Sequence, residues 1–201
     1  MDLSRTRIIA IAVGVAFFCS SPSAQQPAAE RPAQAAPAVN ADAKTMADFK
    51  AKVDAYDKLR KDLGKKTPPL KNTDDPAEIA LAEKALAQQI KAARAGAKAG
   101  DIFTLETRQL FRRLLNPTLK GDEGVENKIS LKEDSPPASK IPFQVNGEYP
   151  KEQPLSTVPP DMLKALPPLP EAIQYRFAGK HLLLYCTRGN LIIDYMLNAI
   201  P

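Results

Sequence analysis

Two side chains, His181 and Cys186, have the chemistry that catalysis and metal binding most often use. His181 is the only histidine of the 201-residue chain, so we predict neither a metal site nor a cofactor. A hydrolase built on His181 remains one hypothesis, although no Gly-x-Ser-x-Gly nucleophile motif accompanies it. Cys186 is predicted to pack as a small hydrophobic residue or to form an intermolecular disulfide. We assign no catalytic residue, and the sequence favours a non-catalytic protein.

Arg176, Tyr185 and Asp194 form a candidate ligand-binding group. They fall on one face of a predicted three-stranded sheet, where Arg176 and Asp194 flank Leu183 in a single cross-strand row. Two opposite charges beside an aromatic ring can recognise a small polar ligand on an exposed sheet face. The alternative interpretation is a structural salt bridge that orients the sheet.

Four basic residues are candidate anion contacts. Lys91, Arg94 and Lys98 lie on one flank of the predicted second helix, and Arg112 lies on the third. They predict a strip that contacts an envelope protein or an anionic cell-wall polymer. Acidic residues are interleaved with them, so a solvated helix face is the competing interpretation. The net charge of +5 is too small to indicate a nucleic-acid partner, and none is predicted.

Residues 1–24 have the organisation of a secretory signal peptide. Arg5 and Arg7 precede a short apolar run over residues 8–18, which small and polar residues follow. We predict cleavage after Ser23 or Ala24, export, and a periplasmic location, with secretion into the medium as an alternative.

The segment after the signal has a different composition. Residues 25–42 are rich in Pro, Ala and Gln, which predicts a disordered leader. No later segment has the length and apolar character of a transmembrane span, so none is predicted in the mature chain. Anchoring through a lipid on Cys19 is an alternative to a free periplasmic protein.

Residues 43–201 are predicted to form one α+β domain, in which residues 43–134 are helical. Apolar residues at three- and four-residue steps predict a first helix that ends at Gly64. A second begins with a capping box at Asp75 and ends near Gly100, which makes an antiparallel helical hairpin. A third helix begins at Thr104, and a short charged helix follows over residues 122–134.

The rest of the predicted domain is a Pro-rich strap over residues 135–170 and a β-meander over residues 173–197. The strap contains a short predicted strand at 143–145 and lies across the helices. Two-residue turns at Gly179-Lys180 and Arg188-Gly189 fix the register of the meander. This register places eight residues on a face that packs against the helices: Tyr175, Phe177, Leu182, Leu184, Cys186, Leu191, Ile193 and Tyr195.

Several segments resemble a family of uncharacterised exported bacterial proteins. They are Phe49…Tyr56…Leu59, KAARAGAKAGDIFT (91–104), RRLL (112–115), PLSTVPPDML (154–163), LPPLPEAIQYRFAGKHLLL (166–184) and NLIIDYMLNAIP (190–201). The resemblance implies export and transfers no activity, because none is established for the family. The terminal hairpin is also similar to hairpins of small periplasmic families, one of them linked to nickel and cobalt homeostasis. This chain lacks the His- or acid-rich tract that metal handling favours.

Three functions are consistent with the sequence. The first is a non-catalytic interaction or accessory protein of the cell envelope. The second is a small polar-ligand binding protein that uses the exposed sheet face around Arg176. The third is a hydrolase-type enzyme that uses His181.

Overall fold

The structure, a computed structural model, describes residues 40–67 and 74–201. The predicted signal peptide, Cys19 and nearly all of the predicted leader lie outside these residues. The last leader residues, 41 and 42, already belong to the first helix, because the Asn40 side chain caps it by accepting hydrogen bonds from the amides of Asp42 and Ala43.

The described residues contain five α-helices, and capping side chains fix where the first three begin. The Asp75 carboxylate accepts a hydrogen bond from the Ala77 amide (2.8 Å), and the Thr104 hydroxyl accepts one from the Thr107 amide (3.3 Å). α1 and α2 form the predicted helical hairpin. The helices are α1 (Ala41–Gly64), α2 (Pro76–Ala93), α3 (Leu105–Leu115), α4 (Gly121–Asp134) and α5 (Pro160–Ala165).

Helix α2 is shorter than predicted. It ends at Ala93 rather than near Gly100, and a loop follows as far as Thr104. The loop forms because the buried Asp194 carboxylate accepts the amides of Gly100 and Ile102 (both 2.9 Å), which a continued helix would use internally.

The C-terminal residues form a three-stranded antiparallel sheet in the order β1-β2-β3. The strands are β1 (Ile173–Ala178), β2 (His181–Cys186) and β3 (Leu191–Met196). The pairs Ala178–His181 and Cys186–Leu191 are those that the predicted turns require. The α+β class, with helices followed by a C-terminal meander, is confirmed.

The register of β3 departs from the prediction at a bulge. Tyr185 pairs with Ile192, but Leu184, the residue before it in β2, pairs with Asp194, so Ile193 is the extra residue. The extra residue turns Met196 toward the helices and Tyr195 away from them, so the predicted place of Tyr195 on the helix-facing side is wrong.

The first half of the Pro-rich strap crosses the sheet, whereas its second half, with α5, packs against α3 as predicted. Ile141 and Tyr149 of the strap pack on the side of the sheet that faces away from the helices, over Leu183, Tyr185 and Ile192. That face is strongly apolar, so covering it is favourable. The expectation of an exposed sheet face is therefore wrong.

The strap also pairs with the outer edge of β3. Ile192 accepts a hydrogen bond from the Asn146 amide and donates one to Gly147, both at 2.8 Å. Pairing therefore falls at residues 146–149 and not in the predicted strand 143–145, which is absent.

The described residues lie in one compact unit, Val39–Pro201. None of their helices has the length and apolar character needed to cross a membrane.

Candidate functional site

The structure separates the three predicted ligand-binding residues. Asp194 is fully buried on the side of the helices, where it also accepts hydrogen bonds from the amides of Phe103 and Tyr195, both at 2.8 Å. The bulge in β3 removes it from the cross-strand row of Arg176 and Leu183. The predicted salt bridge between Arg176 and Asp194 does not form.

Tyr185 is buried beneath the strap. Its hydroxyl donates to Asn190 Oδ1 (2.9 Å), and its ring meets that of Tyr149 edge-on with 5.5 Å between centroids. Burial raises the pKa of Tyr185 to about 12. Its side chain therefore serves the packing of strap on sheet. Arg176, in contrast, lines a cleft.

Three of the four candidate anion contacts join elements of the protein. Lys91 Nζ lies 2.6 Å from Glu148 Oε1 of the strap. Arg94 donates to Asn146 Oδ1 (2.6 Å), and Arg112 donates to the carbonyls of Asn198 (2.9 Å) and Leu197 (3.0 Å). Lys98 is exposed. The four cations therefore do not form a common free strip.

His181 lies at the turn between β1 and β2 and has no catalytic partner among its recorded contacts. Its Nδ1 accepts a hydrogen bond from the Asn198 amide (2.9 Å), and its ring packs edge-on against Phe143. Burial and the nearby Lys180 lower its pKa.

Cys186 is fully buried in the helix-facing core. Among the described residues, no group of three or more His, Cys, Asp or Glu side chains is placed to hold a metal ion.

A basic hollow lies between α3 and the C-terminal residues. It has a volume of about 540 Å³ and includes Arg112, Arg113 and Lys180. The Arg113 guanidinium lies 2.5 Å from the Asp42 carboxylate, and Arg112 binds backbone carbonyls. These two guanidinium groups are therefore already engaged within the protein, which makes the hollow the weaker candidate site.

The stronger candidate, which we name the strap cleft, lies between strand β1, helix α5 and the strap segments on either side of α5. Its volume is about 360 Å³, within the range of small-ligand sites. The lining combines an apolar wall with a few polar groups: Thr157, Val158, Leu163, Pro167, Pro168, Leu169, Ile173, Gln174, Tyr175 and Arg176.

Arg176 supplies the charge of the strap cleft. Its Nη1 donates to the Ser156 carbonyl (2.7 Å), Nη2 contacts the Gln174 amide oxygen, and Nε is buried without a hydrogen-bond partner. No carboxylate of the described residues forms an ion pair with it, and burial lowers its pKa. Arg176 is thus a half-buried cation without a counter-charge.

The apolar wall of the strap cleft was not identified from the sequence as part of a site. Val158 is buried, whereas Leu163 on α5 is 45% exposed although it lines the cleft. The available signal was the number of apolar residues in the strap, which is too high for a free linker. Gln174 is two residues from Arg176 on the same strand, so both side chains lie on one face.

Comparison with known proteins gives no match to a family profile, a curated protein or a solved structure. The functional argument therefore rests on the geometry of the strap cleft.

Proposed function

We propose that this chain is an exported, non-catalytic binding protein whose strap cleft holds a small amphipathic anion. The ligand class is a molecule with an apolar body and a carboxylate-type group. The observation that carries the proposal is the half-buried guanidinium of Arg176 at the end of an apolar cleft, with which no carboxylate in residues 40–67 or 74–201 forms an ion pair.

Electrostatics and burial favour the same ligand class. A cation partly removed from water is destabilised unless an anion or hydrogen-bond acceptors compensate it, and guanidinium–carboxylate hydrogen bonds are among the strongest available. The wall around Val158, Leu163 and Leu169 adds a favourable term for any apolar group that displaces water from the cleft. Neither a purely polar nor a purely apolar molecule would use both features.

The polar residues of the strap cleft support binding in place of catalysis. Thr157, Gln174 and Arg176 can donate hydrogen bonds and orient a ligand. None of the three is a group that ordinarily accepts a proton at neutral pH. The export part of the proposal is supported by residues 1–24 of the sequence and by the resemblance to exported bacterial proteins.

The test compares an amphipathic anion with its neutral counterpart by isothermal titration calorimetry. We expect the purified protein to bind octanoate about tenfold or more tightly than 1-octanol, since only octanoate can pair with Arg176. In Arg176→Gln the preference for octanoate should disappear. Equal octanoate affinity in Arg176→Gln and in the unmodified protein would overturn the proposal.

Two variants separate a lost ligand contact from a damaged fold. Arg188→Gln removes an exposed arginine from the turn between β2 and β3, outside the strap cleft, and should leave octanoate binding unchanged. Ser156→Ala weakens the attachment of the strap to β1 without changing charge. Ser156→Ala should still bind octanoate more tightly than 1-octanol, because Arg176 is still present.

A further inference from the structure

The open edge of strand β1 borders the strap cleft. At each end of the strand, the strap already bonds to a backbone amide that points away from β2. The Ile173 amide donates to the Pro170 carbonyl (2.9 Å). The Ser156 hydroxyl both accepts from the Phe177 amide and donates to the Phe177 carbonyl, each at 2.8 Å.

Tyr175 lies between these two attachment points. Ala178 pairs with His181 across a two-residue turn, and the Thr187 amide donates to the Ala172 carbonyl (3.0 Å). The even-numbered residues of β1 therefore direct their amides and carbonyls toward β2. By the same alternation, the amide and carbonyl of Tyr175 point to the open edge, and no residue in the described part of the chain bonds to them there.

We propose that the strap cleft binds a short extended peptide segment that adds to the edge of β1 at Tyr175. The inference rests on the proposed function, of which it specifies the ligand. One residue of the peptide exchanges two backbone hydrogen bonds with Tyr175, and a carboxylate next to it in the peptide pairs with Arg176. Strand addition of this kind uses main-chain hydrogen bonds for affinity and side-chain pockets for specificity.

The pleat of the sheet fixes the side-chain pattern of this peptide. Residues paired across neighbouring strands point to the same face. Tyr175 packs in the helix-facing core, so the paired peptide residue points to that side, where Val158 and Leu163 line the cleft. The adjacent peptide residues point to the other side, as Gln174 and Arg176 do. In this antiparallel pairing the peptide residue before the apolar one lies opposite Arg176 and the residue after it lies opposite Gln174. The Arg176 guanidinium contacts the Gln174 side chain, so a carboxylate at either position is near it. The pattern is one apolar residue followed or preceded by a carboxylate.

The two strap contacts limit the length of the bound segment. Ile173 and Phe177 are already bonded to the strap. A peptide strand can therefore lie alongside β1, antiparallel to it, for about three residues at about 3.3 Å each before it meets Pro170 or Ser156. The carboxylate comes from an acidic side chain or from a peptide C terminus, since both present the same group to Arg176.

The test uses four synthetic peptides and calorimetry. The parent is Ac-Ser-Leu-Glu-NH2; its partners carry N-methyl-leucine, Gln in place of Glu, or the free C terminus of Ac-Ser-Leu-Ser-OH. We expect N-methylation to weaken binding about fivefold, because it removes one donor to Tyr175. The Gln peptide should bind about tenfold more weakly than the parent. The control variant Arg188→Gln should bind each peptide with the same affinity as the unmodified protein. Comparison of the two acidic peptides identifies the carboxylate source.

The outcomes distinguish this inference from the proposed function. If the N-methyl peptide binds as tightly as the parent while both lose affinity in Arg176→Gln, strand addition is overturned and the amphipathic-anion site remains. The same conclusion follows if octanoate binds and no peptide does. If neither octanoate nor any peptide depends on Arg176, the proposed function fails as well.

Amide hydrogen exchange gives a second readout at the residue concerned. In the free protein, the Tyr175 amide should exchange faster than those of Ile173 and Phe177, which are bonded to the strap. Saturating Ac-Ser-Leu-Glu-NH2 should slow the Tyr175 amide at least tenfold, and the N-methyl peptide should slow it less. No change at Tyr175 on saturation would overturn strand addition.

Discussion

At the scale of single residues, the polar groups of this protein act mainly as internal connectors. Asp194 is fully buried and no basic side chain forms an ion pair with it among the described residues, yet it accepts four backbone amides. A carboxylate can remain buried in this way because charge-assisted hydrogen bonds offset its loss of water. Asp194 therefore ties the loop after α2 to strand β3.

Asp194→Asn should be strongly destabilising. Each carboxylate oxygen accepts two backbone amides, so an amide in place of either one loses two hydrogen bonds and directs its own hydrogens at backbone N–H donors. We expect the free energy of unfolding to fall by about 3 kcal/mol, measured by urea titration. Asp161→Asn, which removes an exposed ion pair with Lys164, should cost less than about 1 kcal/mol. Equal effects would contradict this role of Asp194.

His181 should make stability depend on pH. Its folded-state pKa lies below the ordinary value of 6.5, because of burial first and Lys180 second, and its Nδ1 accepts the Asn198 amide. The stability that neutral His181 provides is present above pH 6.5 and is lost as pH falls through the lower folded-state pKa. Thermal denaturation from pH 7.5 to 5 should show this loss. His181→Gln, which keeps an acceptor without titrating, should show a smaller loss; an identical pH profile would contradict the assignment.

At the scale of elements, close backbone approaches fix how the helices connect. Helix α4 passes so near the preceding 3₁₀ turn, Pro117–Leu119, that a Cβ on Gly124 would lie 2.2 Å from the Leu119 carbonyl carbon. Only glycine permits this contact, because backbone cannot move aside as a flexible side chain can.

Gly124→Ala should therefore destabilise the protein by about 2 kcal/mol or more in chemical denaturation. The matched control is Gly64→Ala at the end of α1, where nothing lies within 4 Å of the added Cβ. That variant should leave stability unchanged or raise it slightly, because alanine favours helix. If both substitutions had the same effect, the close approach of α4 to Leu119 would not be a constraint.

The elements that sequence predicted well are those set by local chemistry. The caps at Asp75 and Thr104 and the turn at Gly179, where φ is +56°, depend on residues that are neighbours in the chain. The end of α2 and the bulge in β3 were not predictable, because both depend on Asp194 meeting a loop more than 90 residues earlier in the chain. The strap cleft was missed for the same reason: its wall and Arg176 come together only through tertiary packing.

At the scale of the whole molecule, the strap connects the helical layer and the sheet. Lys91 of α2 pairs with Glu148 of the strap, and Ser156 attaches the strap to β1. The strap also protects the outer edge of β3 at Ile192 and packs over the second face of the sheet. A three-stranded sheet would otherwise expose an apolar face and two edges, which favours aggregation. At Tyr175 of β1, the alternation leaves both the amide and the carbonyl available for a ligand within the described residues.

Asn146 is the residue at which strap, helix layer and sheet meet. Its side chain accepts from Arg94 Nη1 (2.6 Å) and donates to the Arg94 carbonyl (3.0 Å), while its amide donates to Ile192. Its φ of +60° lies in the left-handed region, which Asn tolerates better than Ala. Asn146 therefore joins the end of α2 to the edge of β3 through both its side chain and its backbone.

Asn146→Ala should lower the free energy of unfolding by about 2 kcal/mol, since it loses two side-chain hydrogen bonds and places alanine at a positive φ. Asn146→Gly, which loses the same bonds without the backbone strain, should cost about 1 kcal/mol. Because the strap binds both layers, urea unfolding followed by helical circular dichroism and by tyrosine fluorescence should give coincident transitions in all three proteins. Separate transitions in the unmodified protein would show that the two layers unfold independently. Equal losses in the Ala and Gly variants would show that the hydrogen bonds to Arg94, and not the backbone conformation, account for the contribution of Asn146.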